Sequence, residues 1–459
     1  MGQIFDDILQ CVGNTPTVRL NHVAHHVPPE VLVKCEFLNP GGSVKDRIGV
    51  HMLEQAEKRG EIKPGDTLIE ATSGNTGIGL AMAGAVRGYR VIITMPEKMS
   101  REKQVVLEGL GAEIHRTPTE AAFDAPDSHI GVAERLKQII PRSHILNQYT
   151  NCDNPGVHHD KTAQEILDAT DGKLDVFMAS AGTGGTLTGI AVRLKKEIPN
   201  IKIVGIDPVG SIIAGLPDDE VGSYKVEGIG YDFVPDVMNC DIVDEWVKSE
   251  DAPSFQMARQ LIRREGLLVG GSSGTAAYCA INYARNMAKG QRILTILPDG
   301  VRNYMTKFLD NRWMAENGFA EEPWAVGEVG DLLLGFPERE LFTCHDASRV
   351  GDAVNAMKSK GVSQLPVLDE DGSLSGIITE TDVLSSLFDD RCTMDTVVGE
   401  VMCRKVSTVS EFDPASKLAQ TFLRGEVALV IDEAGKLKTL LSKLDLIEHL
   451  ARHGQAVGG

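Results

Sequence analysis

Four glycine-rich stretches limit most strongly how this chain can fold. They are NPGGSVKDR (39–47), TSGNTGIG (72–79), AGTGGTLTG (181–189) and GGSSGTA (270–276). Around them, from about residue 10 to 320, short β-branched runs alternate with amphipathic stretches. The runs include VLVKCEF (31–37), RVIITMP (90–96), LDVFMAS (174–180), KIVGIDP (202–208) and RILTILPDG (292–300). RIGVHMLEQAEKRG (47–60) and GIGLAMAGAVRGY (77–89) carry apolar residues at helical spacing. Strand, glycine turn, helix, strand is the pattern of parallel α/β structure. Glycine has no Cβ, so backbone N–H groups can converge on an anion, and before a helix such a loop suits a phosphate or a carboxylate.

Each loop alone leaves two readings. In AGTGGTLTG a dinucleotide fingerprint would need glycine at position 187, which is Leu187, and no Gly-Lys-Ser/Thr follows for a P-loop. What remains is a cup for one phosphate, built by Gly182, Thr183, Gly184, Gly185 and Thr186, or else a tight strand–helix turn. TSGNTGIG brings Thr72, Ser73, Asn75 and Thr76 to the start of an apolar helix. That is a site for a small carboxylate or a capped helix end. Lys45, among glycines, is a surface charge or a Schiff-base lysine that meets a carbonyl cofactor. Taken together, a lysine, a phosphate cup and a carboxylate loop on one α/β scaffold suit pyridoxal phosphate working on an amino acid.

The 459 residues correspond to about three domain-sized units. The net charge of −19 speaks against a broad nucleic-acid or anionic-membrane surface. Eight cysteines without a C-x-x-C exclude a disulfide scaffold and a zinc ribbon, and read as small buried apolar residues in a reducing compartment. The opening MGQIFDDILQCVGNTP lacks the basic and apolar regions of a leader, and no uncharged apolar stretch reaches ~18 residues. A cytoplasmic location is expected. No metal site is expected: His25–His26 read as an exposed loop and His158–His159 as a helix start.

Residues 319–342, rich in Glu, Gly and Pro, interrupt the alternation and read as a linker or connecting helix between 1–318 and 343–459. The last part contains a repeat. LPVLDEDGSLSGIITETDVLSSL (365–387) aligns with ALVIDEAGKLKTLLSKLDLIEHL (428–450) at an offset of 63, with Val367, Asp369, Glu370, Gly372, Leu374, Asp382 and Leu387 recurring. Each copy reads as strand, turn, strand, helix, preceded by a helix at about 350–359 or 415–423. Copies this small are expected to pack on each other. Their bounds are about 343–390 and 397–455.

The motifs GNTP (13–16), PGGSVKDR (40–47), EATSGNTGIGLA (70–81), NQY (147–149), GTGGT (182–186) and GGSSG (270–274) resemble fold-type II pyridoxal-phosphate enzymes of the cysteine synthase/cystathionine β-synthase family, along nearly all of residues 5–318. MPEKMS (95–100), EGIGYDF (227–233) and LPDGVRNYMTKFLDNRW (297–313) look like the cystathionine β-synthase branch. The repeat resembles the adenosyl-ligand-binding tandem of that branch, the CBS-domain pair. The resemblance implies a tryptophan synthase β-like catalytic domain of two α/β subdomains, and a homodimer.

It implies roles as well. Lys45 is the Schiff-base lysine and the base at Cα–H. Asn75 bonds the cofactor's phenolic oxygen, and Gly182, Thr183, Gly184, Gly185 and Thr186 hold its phosphate. Ser272 faces the pyridine nitrogen, with Ser273 one position away. Thr72, Ser73, Thr76 and Gln148 form the substrate carboxylate site, Ser73 being also a catalytic candidate. Tyr231 stands near the second substrate, where it is also a catalytic candidate, or is an ordinary half-buried aromatic.

The implied reaction condenses L-serine with L-homocysteine to L-cystathionine and water, with hydrogen sulfide released when cysteine replaces serine. A cysteine synthase using O-acetylserine and sulfide is the alternative, and a catalytically inactive adenosyl-ligand sensor is a third reading. In the tandem, Thr379 with Asp382 and Ser442 with Asp445 grip a ribose or merely cap helices. S-adenosylmethionine is the ligand expected of the family there. The animal members' haem segment has no counterpart, since Cys11 and His22 lie in the wrong place, so no haem is expected.

Overall fold

The structure is a computed structural model that describes residues 4–72, 74–97, 99–118, 125–215, 222–319, 328–334, 340–413, 416–423, 427–432 and 435–453. The chain divides into two compact units, Met1–Ala320 and Glu321–Gly459.

Among the described residues the first unit has ten strands: β1 (Thr17–Arg19), β2 (Glu30–Cys35), β3 (Thr67–Ala71), β4 (Arg90–Pro96), β5 (Glu113–Thr117), β6 (Ser143–Ile145), β7 (Val176–Ser180), β8 (Lys202–Pro208), β9 (Glu245–Ser249) and β10 (Arg292–Leu297). They form a six-stranded sheet, ordered β1-β2-β10-β7-β8-β9, and a four-stranded sheet, ordered β5-β4-β3-β6. Every pairing is parallel except β1 with β2. This is the expected pair of α/β subdomains.

Helices cover both faces of the large sheet, which is why its strands read as continuous apolar runs. On β7, Val176 and Met178 enter a core with Phe255 and Ala277, while Phe177 and Ala179 enter another with Leu187 and Ile190. The glycine loops sit where strand gives way to helix. Residues 72–74 join β3 to the helix Asn75–Arg87, and 181–184 join β7 to the helix Gly185–Glu197. The helix Gly271–Ala284 begins beside the carboxyl end of β10, where the Gly270 N–H donates to the Asp299 carbonyl at 2.9 Å. Ligand sites of open α/β sheets form at these carboxyl ends.

In the second unit the repeat is visible in the backbone. Strands β11 (Cys344–His345), β12 (Gln364–Leu368) and β13 (Leu374–Thr379) form one sheet, and β14 (Thr408–Ser410), β15 (Ala428–Ile431) and β16 (Leu437–Leu441) form another. The β12–β13 register slips between Val367 and Leu368, and β15–β16 slips between Val430 and Ile431, again 63 residues on. Gly372 and Gly435 take the same left-handed turn, at φ +78° and +77°. Each repeat has its own core. Within the stretch read as a linker, Val329–Leu333 form a helix that buries Val329 and Leu332 in the second repeat's core.

Two expectations need correcting. Cys35, Cys279 and Cys392 are buried, but Cys11, Cys152 and Cys403 are exposed, because they lie on loops and helix ends rather than on core-facing positions. His158–His159 do not start a helix. They open a π-helical stretch, His158–Thr162, inside a continuous helical run from Asp153 to Thr170.

Candidate active site

Lys45 opens the helix Lys45–Lys58 and reaches across to the large sheet, where its Nζ lies 3.3 Å from Thr183 Oγ1. Removal from water lowers its ammonium from the ordinary 10.5 to about 8, and the charge of Glu70 opposes this. Glu70 is itself buried at the end of β3, where its carboxylate accepts the backbone N–H of Asn147 at 3.1 Å and of Gln148 at 2.9 Å. Burial lifts its carboxyl to about 7 despite those bonds.

The 182–186 loop forms the floor opposite Lys45. Gly184 has φ +84°, a left-handed conformation that suits glycine, and a Cβ there would run into Met238. Two hydroxyls of the loop are held from behind. Asn154 Nδ2 donates to Thr183 Oγ1 at 3.1 Å, and Thr186 Oγ1 lies 3.1 Å from His158 Nε2. The other nitrogen of that ring meets Thr162 Oγ1 at 3.0 Å. Burial, with the positive charges of Arg47 and Lys45 nearby, holds His158 well below the usual histidine range, so the ring is neutral. The π-helical stretch carries it to the loop, a recurrent use of such stretches.

Asn75 begins its helix with its Nδ2 donating to Asp299 Oδ2 at 2.8 Å. Ser272 lines the same cavity, whereas the hydroxyl of Ser273 turns away and donates to the Asp299 carbonyl at 3.1 Å. Thr76 Oγ1 donates to Gln148 Oε1 at 2.6 Å, and Gln148 Nε2 donates to the Ala71 carbonyl at 3.0 Å. Tyr231 packs edge-on against Tyr149, with ring centroids 5.6 Å apart. The resulting cavity is lined by Lys45, Asn75, Thr76, Gln148, Gly182, Thr183, Gly184, Thr186, Ser272 and Tyr231. Gly185 starts the helix behind the loop, and Thr72 is buried with its Oγ1 accepting from Gly74 N, so neither is on the cavity wall. Ser73 lies outside the described residues.

The cavity fits a phosphate-bearing aldehyde. A helix N-terminus, two hydroxyls and a bare glycine backbone form one end, and a lysine with a depressed pKa stands beside them. In the tandem, Asp382 Oδ2 accepts from the Thr379 N–H at 3.0 Å and hydroxyl at 2.7 Å. Asp445 Oδ2 does the same for Ser442, at 2.7 Å from each atom. The Thr379 pair closes a capping box, since the Asp382 N–H donates back to Thr379 Oγ1 at 3.1 Å, and the Ser442 pair shares its carboxylate half.

Known proteins resemble the chain along nearly its whole length. Residues 8–299 match the family of pyridoxal-phosphate dependent enzymes, and residues 329–389 and 398–452 match the CBS domain. Cystathionine β-synthase of Oryctolagus cuniculus is 48% identical, with 99% of this chain and 86% of that protein covered. The enzyme of Dictyostelium discoideum is 45% identical, with 98% and 93% covered, and that of Saccharomyces cerevisiae 41%, with 97% and 98%. The chain belongs to the cystathionine β-synthase family. It is a pyridoxal-phosphate-dependent lyase with a C-terminal CBS-domain pair. Among solved structures, an O-acetylserine dependent cystathionine β-synthase from Helicobacter pylori is 36% identical with TM-score 0.62, covering 67% of this chain and 99% of that one. A hydrogen sulfide-producing enzyme from Fusobacterium nucleatum is 37% identical with TM-score 0.63, covering 66% and 100%. No helix among the described residues is long and apolar enough to cross a membrane.

Sequence reasoning missed Glu70, Asn154, His158, Asp299, Asn303 and Tyr304. Glu70, Asp299, Asn303 and Tyr304 stood inside recognised motifs, but nothing in a linear motif separates a residue that meets a ligand from one that holds its neighbour. Asn154 and His158 had no local signal at all.

Proposed function

We propose that the chain catalyses β-replacement, condensing L-serine with L-homocysteine to L-cystathionine and water, the first step of reverse transsulfuration. The observation that supports this is the meeting of Lys45, the 182–186 loop, Asn75, Ser272 and the Thr76–Gln148 pair in one cavity. Pyridoxal phosphate, when bound, supplies the electron sink that lets the α-proton and the β-substituent leave.

The chain's own residues do the rest. Lys45 anchors the cofactor covalently and, once displaced by the incoming amino acid, takes the proton from Cα as a neutral amine. Desolvation favours that neutral form. Gly182, Thr183, Gly184 and Thr186 hold the phosphate, with Gly185 behind them at the helix start, and Asn75 donates to the phenolic oxygen. Ser272 offers a neutral hydroxyl to the pyridine nitrogen. A carboxylate there would keep the ring protonated, so serine gives a shallower sink that favours prompt loss of the β-group. Thr76 and Gln148, with Ser73, hold the substrate carboxylate, Thr72 backs them from behind the wall, and Tyr231 stands by the second substrate. The β-hydroxyl leaves as water and the thiolate of homocysteine takes its place. With cysteine as donor the same exchange frees hydrogen sulfide, as the Fusobacterium neighbour's description would suit.

A second reading has its own support, since the Helicobacter neighbour is described as O-acetylserine dependent. The leaving group would then be acetate. We assign residues 1–318 to catalysis, 319–342 to the connection, and 343–459 to a regulatory module that takes an adenosyl ligand such as S-adenosylmethionine at Thr379, Asp382, Ser442 and Asp445. A homodimer in the cytoplasm without haem completes the proposal.

The test is a product assay on protein reconstituted with pyridoxal phosphate, offering serine or O-acetylserine, each with homocysteine or sulfide. Cystathionine from serine as the dominant product supports the main reading. Cysteine from O-acetylserine and sulfide alone moves the chain to the alternative, and no product from any pair leaves an inactive sensor.

A further inference from the structure

Two hydrogen bonds of the Asn75 side chain, with Asp299 and with Asn303, agree on one orientation of its amide. Its Nδ2 donates to Asp299 Oδ2 at 2.8 Å, and its Oδ1 accepts from Asn303 Nδ2 at 3.2 Å. Asp299 Oδ2 also takes the Tyr304 hydroxyl at 2.5 Å. An oxygen that accepts from two donors suits the NH2 end of an amide and not its oxygen end. Flipping Asn75 would set oxygen against oxygen at Asp299 and NH2 against NH2 at Asn303. Asp299 is 1% exposed and Asn303 7%, so both mismatches would be buried.

The lock is braced from further out. Lys103 Nζ stands 4.8 Å from the Tyr304 ring centre and bonds Glu227 Oε2 at 2.7 Å, and Lys307 also pairs with Glu227. The chain thus runs from Glu227 through Lys103, Tyr304 and Asp299 to Asn75. One Nδ2 hydrogen of Asn75 is used by Asp299. The side chain also reaches the Tyr304 hydroxyl, and Asn75 lines the cavity beside Lys45.

We propose that Asp299, braced by Tyr304, is the positioning residue that fixes the Asn75 amide with one N–H turned toward the cofactor's phenolic oxygen. This rests on the reading of Asn75 given above. A fixed donor at that oxygen favours the charged phenolate form of the bound cofactor, which absorbs at longer wavelength than the neutral phenol form.

The experiment uses the full chain loaded with pyridoxal phosphate and reads the ratio of the visible to the near-ultraviolet cofactor band in the resting enzyme. Asp299→Asn keeps size but presents either end of an amide, so Asn75 is free to flip. Asn303→Asp sets an acceptor against Asn75 Oδ1. Both should lower the band ratio, with kcat falling about tenfold, the worth of one oriented hydrogen bond, while KM moves little. Tyr304→Phe should give a smaller shift in the same direction, and Asn75→Ala sets the limit. An unchanged ratio in Asn75→Ala overturns the phenolic-oxygen reading itself. A changed ratio in Asn75→Ala with wild-type ratios in Asp299→Asn and Asn303→Asp overturns the lock alone. Should Asp299→Asn fail to fold, Asn303→Asp and Tyr304→Phe decide the matter by the same ratio.

Discussion

Lys45 must be neutral to attack an aldehyde, and desolvation brings its ammonium down to about 8. The chain stripped of cofactor should therefore capture pyridoxal phosphate faster as pH rises toward about 8 and level off above it, as stopped-flow absorbance would record. Glu70 stabilises the ammonium, so Glu70→Gln should move that curve to lower pH. Lys45→Ala should abolish the covalent cofactor band. Behind the loop, His158→Ala should weaken cofactor affinity about tenfold by freeing the Thr186 hydroxyl, measured by fluorescence titration of the cofactor-free chain. Since His158 is neutral well below the usual histidine range, that affinity should show no step from it near pH 6.5. Lys45, Asn75 and the glycines could be singled out from the chain because they stand in glycine-rich motifs that resemble those of a known family. His158 was not, because a histidine's partner is set by packing rather than by spacing.

At the scale of elements, the GNTP and PGGSVKDR motifs are tied by one buried ionic cluster. Arg47 bonds Glu36 through Nε at 2.7 Å and Nη2 at 2.8 Å, and reaches Glu165 at 2.7 Å through both Nη atoms. Lys34 Nζ meets Glu165 Oε2 at 2.8 Å and the Thr15 carbonyl at 2.8 Å, while Glu165 also accepts from Asn14 N at 3.0 Å. The loop before Lys45 is thereby fixed to the N-terminal segment. Burial alone would raise the Glu165 carboxyl, but the bonds and charge of Arg47 and then Lys34 overcome it and hold it at about 2. A depressed carboxyl contributes stability that is present above its ordinary value of 4.5 and is lost as pH falls through about 2. Glu165→Gln should cost on the order of 3 kcal/mol in denaturant unfolding at neutral pH, because it leaves buried cations short of a partner. In that variant the loss of stability on acidification from about pH 5 should be shallower.

For the whole molecule, the informative measurement couples the two units without assuming how they meet. S-adenosylmethionine added to the full chain should release heat in calorimetry. Asp382→Ala together with Asp445→Ala should abolish it while the serine–homocysteine activity of the catalytic unit persists. No heat with correctly folded wild type would discard that ligand. Asp382 and Asp445 also bond Thr379 and Ser442 at the starts of their helices, so the variants need a thermal-unfolding control to separate lost helix-end bonding, worth about 1 kcal/mol per helix, from lost binding.

The sequence by itself determined the parallel α/β scaffold, the 63-residue repeat, and the lysine, cup and carboxylate loop, because strand period, glycine placement and repeat offset are local properties of a chain. Only the tertiary structure decided that Ser272 and not Ser273 faces the cavity, and that Thr72 sits behind the wall. It also decided that Asp299 and Tyr304 converge on Asn75 from more than 200 residues away. Those outcomes depend on which faces of separate elements meet when their apolar sides are buried, and no local pattern carries that information.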